Sequence, residues 1–421
     1  MKFLNQIYYL LKIIISGIIL RIIYLFFKTG DITKINLGGD PCHHFNIAQN
    51  LSKFNGPRTD FVYSFWHRHT ELPAVTDVYL PGFHIFSSIF LIISDEFFMA
   101  RIISFTIFFL NILMAYLIAK ELKNKNLGII SIFLIVFNYF HIENSTVFTT
   151  SNFTALIIQI YFYVILLTRK NTNFYFLLGA VTGYSSITFG GWQLLLLISL
   201  INIYFIKKDR LLINILKFLF FFIIIYLSWG IYTKTYFGTA FYSNLNFYPF
   251  INNWGEMMNS TTKPSIVDLL SNINYLEYIK NHAIWLIDHF IKFSLYNFPT
   301  FIFFISITFL PLIIYGSFKI NIFGKYILLF LILYIVLISL ASNAMGGNLW
   351  ARHFMPLLPI SSILIASAVL ELNKIKFVEK FTKKKFFNDL IIISALVITT
   401  AGIIYKDTFW QRNATPFYKF G

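Results

Sequence analysis

The sequence predicts an all-α polytopic membrane protein with about eleven transmembrane helices. Of its 421 residues, 57% are hydrophobic and only 12% are charged, and this composition excludes an ordinary soluble globule. Apolar stretches long enough to cross a bilayer recur from one end of the chain to the other. We therefore expect a single transmembrane domain over residues 1–421, with no separate soluble domain.

We attribute the net charge of +16 to the membrane location that the composition predicts. In a soluble protein this charge would suggest nucleic acid, but here the basic residues fall in short loops between apolar stretches. Membrane orientation and anionic lipid headgroups explain such a distribution, so we expect membrane lipids as partners and no nucleic acid. The single cysteine, Cys42, excludes an internal disulfide and a cysteine-based metal site.

The predicted spans follow one another along the chain. The first covers about residues 5–27 and contains two cations, Lys12 and Arg21. Their charged ends must either extend to the membrane surface by snorkelling or pair with a group that faces them. We interpret this span as an uncleaved anchor. The remaining spans are predicted at about 98–118, 127–141, 153–168, 174–189, 191–206, 211–233, 298–317, 326–342, 354–371 and 390–405.

The orientation depends on whether residues 83–94 cross the bilayer. If this short apolar stretch is a surface or re-entrant helix, the later basic loops all lie on the same side as the N-terminus, as the positive-inside rule favours. We therefore predict a cytoplasmic N-terminus. The segments then predicted to be external are a large first loop at 28–97, a second large loop at 234–297, and shorter segments at 142–152, 343–353 and 406–421.

A polar stretch directly after the first span predicts a short amphipathic helix on the membrane surface. Asp40 is a good N-cap, Pro41 suits the first turn, and Asn55-Gly56-Pro57 is a strong stop signal. Asp40 and His44 are four residues apart and share a face, which we expect to meet a polar substrate while Phe45 meets lipid. Asp40 is interpreted either as a helix cap alone or as a general base or metal ligand.

Further polar candidates occur in the predicted external segments. Arg68, Glu71 and Asp77 supply charge in the first loop, and Glu143 is the only carboxylate in the next external segment. Each is either a functional group or part of a solvated loop. Trp192, after Gly190-Gly191 in a tight turn, either anchors the helix at the interface or stacks on a sugar.

Arg352 and His353 form a second candidate site at the external mouth of a late span. A cation there runs against the positive-inside trend. It therefore needs an anionic partner, and a lipid phosphate fits this requirement. The alternative is an interfacial anchor formed together with Trp350.

These motifs together resemble the GT-C superfamily of integral membrane glycosyltransferases, which includes protein O-mannosyltransferases and the aminoarabinose transferase of lipid A. The resemblance is carried by Asp40, by Tyr79-Leu80-Pro81-Gly82 and by the Arg-x-x-x-Pro run at 352–356. The stretch 40–44 resembles the Asp-Pro-x-x-His start of archaeal oligosaccharyltransferase catalytic subunits, and 187–192 resembles their Trp-Gly-Gly-aromatic turn. The Trp-Trp-Asp-Tyr-Gly acceptor motif of that family is missing from the sequence.

The resemblance implies a reaction and a set of site residues. Asp40 would be the catalytic carboxylate, and Arg352, with His353 or Arg68, would bind the phosphate of a polyprenyl-phosphate or polyprenyl-diphosphate sugar donor. The acceptor would be a protein, a lipid or a glycan on the external face of the plasma membrane. Other residues expected to line the site are His44, Glu71, Asp77, Glu143 and Trp192.

Three alternatives stay open. The first is an oligosaccharyltransferase-like enzyme in which Asp40 and Glu143 hold Mg²⁺ or Mn²⁺. The second is a lipid or solute transporter or flippase, which we expect to carry ionisable residues at mid-membrane and internal repeats. The third is a non-catalytic relative that serves as a scaffold.

Overall fold

The computed structural model describes the chain in segments that carry most of the predicted spans. The described residues are 2–29, 40–60, 72, 74–76, 79–122, 124–206, 210–243, 275–280, 283–284, 310–340, 354–372 and 385–405. They are almost entirely helical, which confirms the predicted all-α membrane class. The described strands are the antiparallel pair β1 (Arg58–Thr59) and β2 (Ala74–Val75), in which Arg58 lies opposite Val75.

The helices of the described segments are numbered here in chain order. They are α1 (Lys2–Thr29), α2 (Asp40–Ser52), α3 (Gly82–Leu91), α4 (Phe98–Glu121), α5 (Lys125–Val136), α6 (Tyr139–Thr146), α7 (Thr150–Thr168), α8 (Phe174–Ser186), α9 (Trp192–Ile206), α10 (Leu211–Phe237), α11 (Leu310–Lys319), α12 (Asn321–Leu340), α13 (Leu358–Leu372) and α14 (Lys385–Tyr405). A 3₁₀ helix, Met355–Leu357, leads directly into α13.

Six of these helices are long and apolar enough to cross a membrane. They are formed by Ile7–Lys28, Phe98–Glu121, Thr150–Thr168, Leu211–Phe237, Asn321–Ile338 and Met355–Leu372. The bent pair α5–α6 raises this number to seven if it counts as one span. The predicted total of about eleven spans stays a prediction.

The short apolar helix α3 fits the predicted surface or re-entrant segment. It has ten residues and is therefore about 15 Å long, roughly half the thickness of the hydrocarbon core. Its first three residues, Gly82 to His84, are buried in protein, whereas Ile92 and Ile93 after its end are exposed. A helix of this length does not cross the bilayer by itself.

The span predicted at 127–141 is wrong as a continuous helix. Helices α5 and α6 meet at an angle of 67°, with Phe137 and Asn138 between them. The Asn138 side chain accepts a hydrogen bond from the His141 backbone N–H at 3.0 Å and so caps the start of α6. The external loop expected from residue 142 is consequently helical as far as Thr146.

Helix α7 lies at the centre of the described core. Nearly three quarters of its apolar window, 72%, is buried, and it packs against α4, α8 and the 3₁₀ helix. Helix α8 in turn packs closely along α10, because Gly179 allows the backbone of Phe218 to approach. This arrangement leaves the N-terminal end of α7 beside the helices that carry Asp40 and Glu143.

We expect Gly179→Ala to destabilise the protein, because a Cβ at this position would lie 1.9 Å from the Phe218 carbonyl oxygen. Overpacking against backbone costs about 1–3 kcal/mol. Thermal unfolding in detergent measures the loss as a lower midpoint. Gly190→Ala is the matched control, because no atom lies within 4 Å of the added Cβ. Equal midpoints for the two variants would contradict the close α8–α10 contact.

Candidate functional site

Asp40 is held by a tyrosine from the end of the first external segment. It is the first residue of α2, and its Oδ1 accepts a hydrogen bond of 2.9 Å from the Tyr79 hydroxyl. The Tyr79 ring meets the His44 ring edge-on, with centroids 4.4 Å apart. The predicted pair Asp40 and His44 is thus joined through Tyr79, a residue that the sequence singled out only as part of a motif.

His44 and His84 form a buried hydrogen-bonded pair between α2 and α3. Their Nδ1 and Nε2 atoms are 2.9 Å apart, and the side chains are 3% and 0% exposed. One ring must donate and the other accept. Burial, together with the neighbouring His44, holds the pKa of His84 well below its ordinary value, so this ring stays neutral.

The expectation that Phe45 faces lipid is wrong. Phe45 is 2% exposed and packs against Phe97 and Phe148, with ring centroids 4.9 and 5.9 Å away. These two rings come from the start of α4 and the connection after α6. Helix α2 is therefore embedded between protein elements, and its apolar side is covered by protein.

The two motifs that resemble the glycosyltransferase family touch each other. The Gly82 backbone N–H donates to the Ile187 carbonyl at 2.6 Å, and the Tyr184 hydroxyl donates to the Gly82 carbonyl at 2.6 Å. A Cβ on Gly82 would lie 2.2 Å from Thr188 Oγ1, so only glycine allows this approach. The segment that carries Tyr79 is thereby docked on the turn that precedes Trp192.

Trp192 itself packs away from this contact. It begins α9, and its half-buried ring lies against Phe222 and Tyr226 of α10, with centroids 6.0 and 5.1 Å away. These contacts are those of an anchoring residue, which is one of the two interpretations made from the sequence.

Glu143 lies half-buried on α6 and is surrounded by groups from other helices. Its Oε1 accepts a hydrogen bond of 3.3 Å from the Tyr24 hydroxyl of α1. Arg101 of α4 is buried and donates to the Thr146 carbonyl at the end of α6. Arg21 of α1 is buried and contacts the same helix through Ser145 and His141. Sequence reasoning missed Arg101, although a charge inside an apolar span is itself a signal of function.

The other predicted site residues lie outside the described residues. These are Arg68, Glu71, Asp77, Arg352 and His353. The chain is described again from Phe354, which is buried, and the 3₁₀ helix that follows packs against α6 and α7. The chain that continues from Arg352 therefore reaches the helix that carries Glu143.

The described residues offer carboxylates for a metal but no complete set of ligands. Within the segments that the structure describes, no group of three His, Cys, Asp or Glu side chains is placed to hold a metal ion. Asp40 and Glu143 each accept a hydrogen bond from a tyrosine. Since Mg²⁺ and Mn²⁺ prefer several oxygen ligands, these two residues need help from other groups to bind either ion.

Comparison with solved structures supports the fold that the motifs implied. No family model matches the sequence, and no curated protein matches it significantly. The fold is similar to that of the Archaeoglobus fulgidus oligosaccharyltransferase in the apo form, with a TM-score of 0.56 and 14% identity over 96% of this chain and 58% of that chain. The same oligosaccharyltransferase in complex with Zn and sulfate gives a TM-score of 0.56 and 15% identity over 95% of this chain and 55% of that one.

A third similar structure is the archaeal oligosaccharyltransferase AglB from Archaeoglobus fulgidus in complex with an inhibitory peptide and a dolichol-phosphate. The TM-score is 0.54, with 15% identity over 93% of this chain and 56% of that chain. The chain thus spans little more than half the length of these proteins. The expected resemblance of the fold to the oligosaccharyltransferase catalytic subunit is confirmed.

We expect His44→Ala to lower stability by about 1–3 kcal/mol, because it leaves the buried His84 without its hydrogen-bond partner. The neighbouring variant His43→Ala is the matched control, since His43 is only half-buried, and its loss should stay below about 1 kcal/mol. Unfolding midpoints in detergent compare the two. If His44→Ala costs no more than His43→Ala, the histidine pair does not hold α2 to α3.

Proposed function

We propose that this protein is a membrane glycosyltransferase that moves a sugar from a polyprenyl-phosphate or polyprenyl-diphosphate donor to an acceptor. The observation that carries the proposal is the Asp40 carboxylate, held by Tyr79 at the start of an embedded helix in a fold shared with oligosaccharyltransferase. A fold alone does not fix an activity, so the proposal depends on this site.

The proposed chemistry is displacement of a lipid-linked phosphate from the anomeric carbon of the sugar. Asp40 accepts the proton of the attacking group, and its hydrogen bond from Tyr79 fixes the direction of the carboxylate. Negative charge develops on the leaving phosphate, where fixed cations stabilise it. Arg352, with His353 or Arg68, supplies this charge, and the contact of the 3₁₀ helix with α6 supports the role of Arg352.

The environment of Asp40 supplies the rest of the proposed site. His44, which touches Tyr79, supports the orientation of the catalytic group, and Glu71 and Asp77 are the further acids that this proposal assigns to substrate binding. A lipid-linked donor agrees with the dolichol-phosphate bound by one neighbour, and a peptide acceptor agrees with the tethered acceptor peptide of another. A lipid or glycan acceptor is equally compatible with this chemistry.

The distribution of basic residues supports an active site on the external face of the plasma membrane. Lys120 in the last turn of α4, Lys170 just after α7 and Lys325 near the start of α12 lie at helix ends that the positive-inside rule assigns to the cytoplasm. Asp40 lies at the other end of α4 from Lys120, because α2 meets the start of that helix through Phe45 and Phe97. The proposed catalytic carboxylate is therefore assigned to the external side.

A second candidate function is metal-dependent glycan transfer of the oligosaccharyltransferase type. It is favoured by the neighbour that was solved with Zn and sulfate. In this version Asp40 and Glu143 contribute carboxylates to a Mg²⁺ or Mn²⁺ site whose further ligands come from groups such as Glu71 or Asp77. The ion would stabilise charge on the donor phosphate.

We expect Asp40→Asn to lower transfer by about 10²-fold or more, because the amide cannot accept the proton. The assay uses purified protein in vesicles with lipid-linked glycans extracted from the source organism, and it follows radiolabel that moves from lipid to acceptor. Asp95→Asn is the control, since Asp95 is an exposed acid paired with Lys53 at 3.5 Å. Transfer that survives Asp40→Asn would contradict the role of Asp40 as the base, whereas lipid movement across the bilayer without transfer would favour the transporter alternative.

The metal-dependent version predicts that a chelator abolishes transfer and that added Mg²⁺ or Mn²⁺ restores it. The reason is that charge on the donor phosphate would then be stabilised by the ion. The measurement is the same transfer assay after exhaustive treatment with EDTA. Full activity in EDTA would exclude this version while leaving the role of Asp40 intact.

A further inference from the structure

Arg21 is a charged residue in the middle of an apolar span, and it is completely buried. Its side chain is 0% exposed, and its guanidinium lies 3.5 Å from the centre of the Phe108 ring. Within the described residues no carboxylate contacts it. A buried cation without a counter-ion is costly in a membrane, so its contacts must serve a purpose.

Three of the hydrogen-bond contacts of Arg21 go to α5 and α6, on the two sides of the break between them, and one goes to its own helix. Its Nη1 donates to the Gly17 carbonyl at 2.9 Å and to the Val136 carbonyl, at the end of α5, at 3.4 Å. Its Nε donates to Ser145 Oγ at 2.7 Å, and its Nη2 lies 3.0 Å from His141 Nδ1. Since a guanidinium has no acceptor, His141 accepts through Nδ1 and carries its proton on Nε2.

One face of α1 brings these groups together. Gly17, Arg21 and Tyr24 follow at intervals of four and three residues, so they share a side of the helix. A Cβ on Gly17 would lie 2.5 Å from Val136 Cγ1, so glycine is needed for the end of α5 to come this close. Tyr24, one turn beyond Arg21, donates to Glu143.

The rotation of α6 decides where Glu143 points. His141 and Ser145 are one turn apart, both 0% exposed, and both bound to Arg21. Glu143 lies between them in sequence, and at 100° per residue its Cα–Cβ bond leaves the helix on the other side, from which its carboxylate reaches the Tyr24 hydroxyl. It is half-buried, whereas its neighbour Asn144 is 6% exposed.

We propose that Arg21 is a positioning residue that fixes the rotation of α6 and thereby directs Glu143 into the candidate site. The inference rests on the proposed function in one respect, because it takes Glu143 as a group of the active site. Arg21 holds the helix through His141 and Ser145 and makes no bond to the Glu143 carboxylate. Arg21 therefore acts on the direction of Glu143 through the helix and not through a bond to the carboxylate.

The first test measures the direction of residue 143 without any enzymatic assay. Single cysteines are placed by Glu143→Cys or Asn144→Cys in a Cys42→Ser background, and their reaction rates with a membrane-impermeant maleimide are compared. With Arg21 present, Cys at 143 should react on the order of tenfold faster than Cys at 144, because local opening is needed to expose a buried position. In Arg21→Met this ratio should fall towards one.

Three further variants keep the result interpretable. Lys12→Met is the matched control, because Lys12 is another cation of α1 and binds Asp389 at 2.9 Å instead of a residue of α6. Arg21→Lys should restore part of the ratio. Ser145→Ala removes a single acceptor and should lower the ratio even if Arg21→Met does not fold. A ratio that is unchanged in Ser145→Ala and in a folded Arg21→Met would overturn the proposal.

The second test separates this inference from the proposed function. In the transfer assay we expect a lower kcat for Glu143→Gln and also for Arg21→Met. The kcat of the double variant should equal that of Glu143→Gln alone, because Arg21 acts through Glu143. Multiplicative losses would mean a general structural role and contradict the inference. If Glu143→Gln is fully active while the labelling ratio still depends on Arg21, the role of Glu143 fails and the positioning of α6 stands.

Discussion

The described structure depends on which groups donate hydrogen bonds to the backbone carbonyls at the break between α5 and α6. Backbone carbonyls that leave a helix in a water-free environment need other donors. The Val136 carbonyl accepts from Arg21, and the Phe137 carbonyl accepts from the Thr399 hydroxyl of α14 at 3.4 Å. Asn138 then starts the next helix. Because these donors come from both ends of the chain, α1 and α14 are tied to the same break.

The break also creates the geometry on which the proposed function relies. Two short helices, α2 and α6, carry the candidate acids Asp40 and Glu143, and each acid accepts a hydrogen bond from a tyrosine of another element. Their surroundings meet through aromatic contacts between α2 and the connection after α6. Rigid protein elements thus hold the acids, which is the condition under which a catalytic group acts from a fixed position.

The sequence predicted the parts of this architecture that depend on local signals. Asp40 and the stop after residue 54 mark α2 correctly, and the short run at 83–94 is a short helix. The apolar stretch 127–141 contains no proline, so its composition predicts a continuous span, and Asn138 was the only sign of the break. Phe45 was assigned to lipid because periodicity does not say what covers an apolar face. The His44–His84 bond joins residues 40 positions apart, and no local pattern reveals such a contact.

We propose that a lipid-linked phosphate binds between Asp40 and Arg352. An experimental structure of the protein in a lipid nanodisc with a bound polyprenyl phosphate would locate this phosphate. We predict that the phosphate lies about 3 Å from the Arg352 guanidinium, as in charge-assisted hydrogen bonds, with the Asp40 carboxylate facing the same cavity. A phosphate bound elsewhere, or Asp40 and Arg352 on unconnected surfaces, would rule out this binding site.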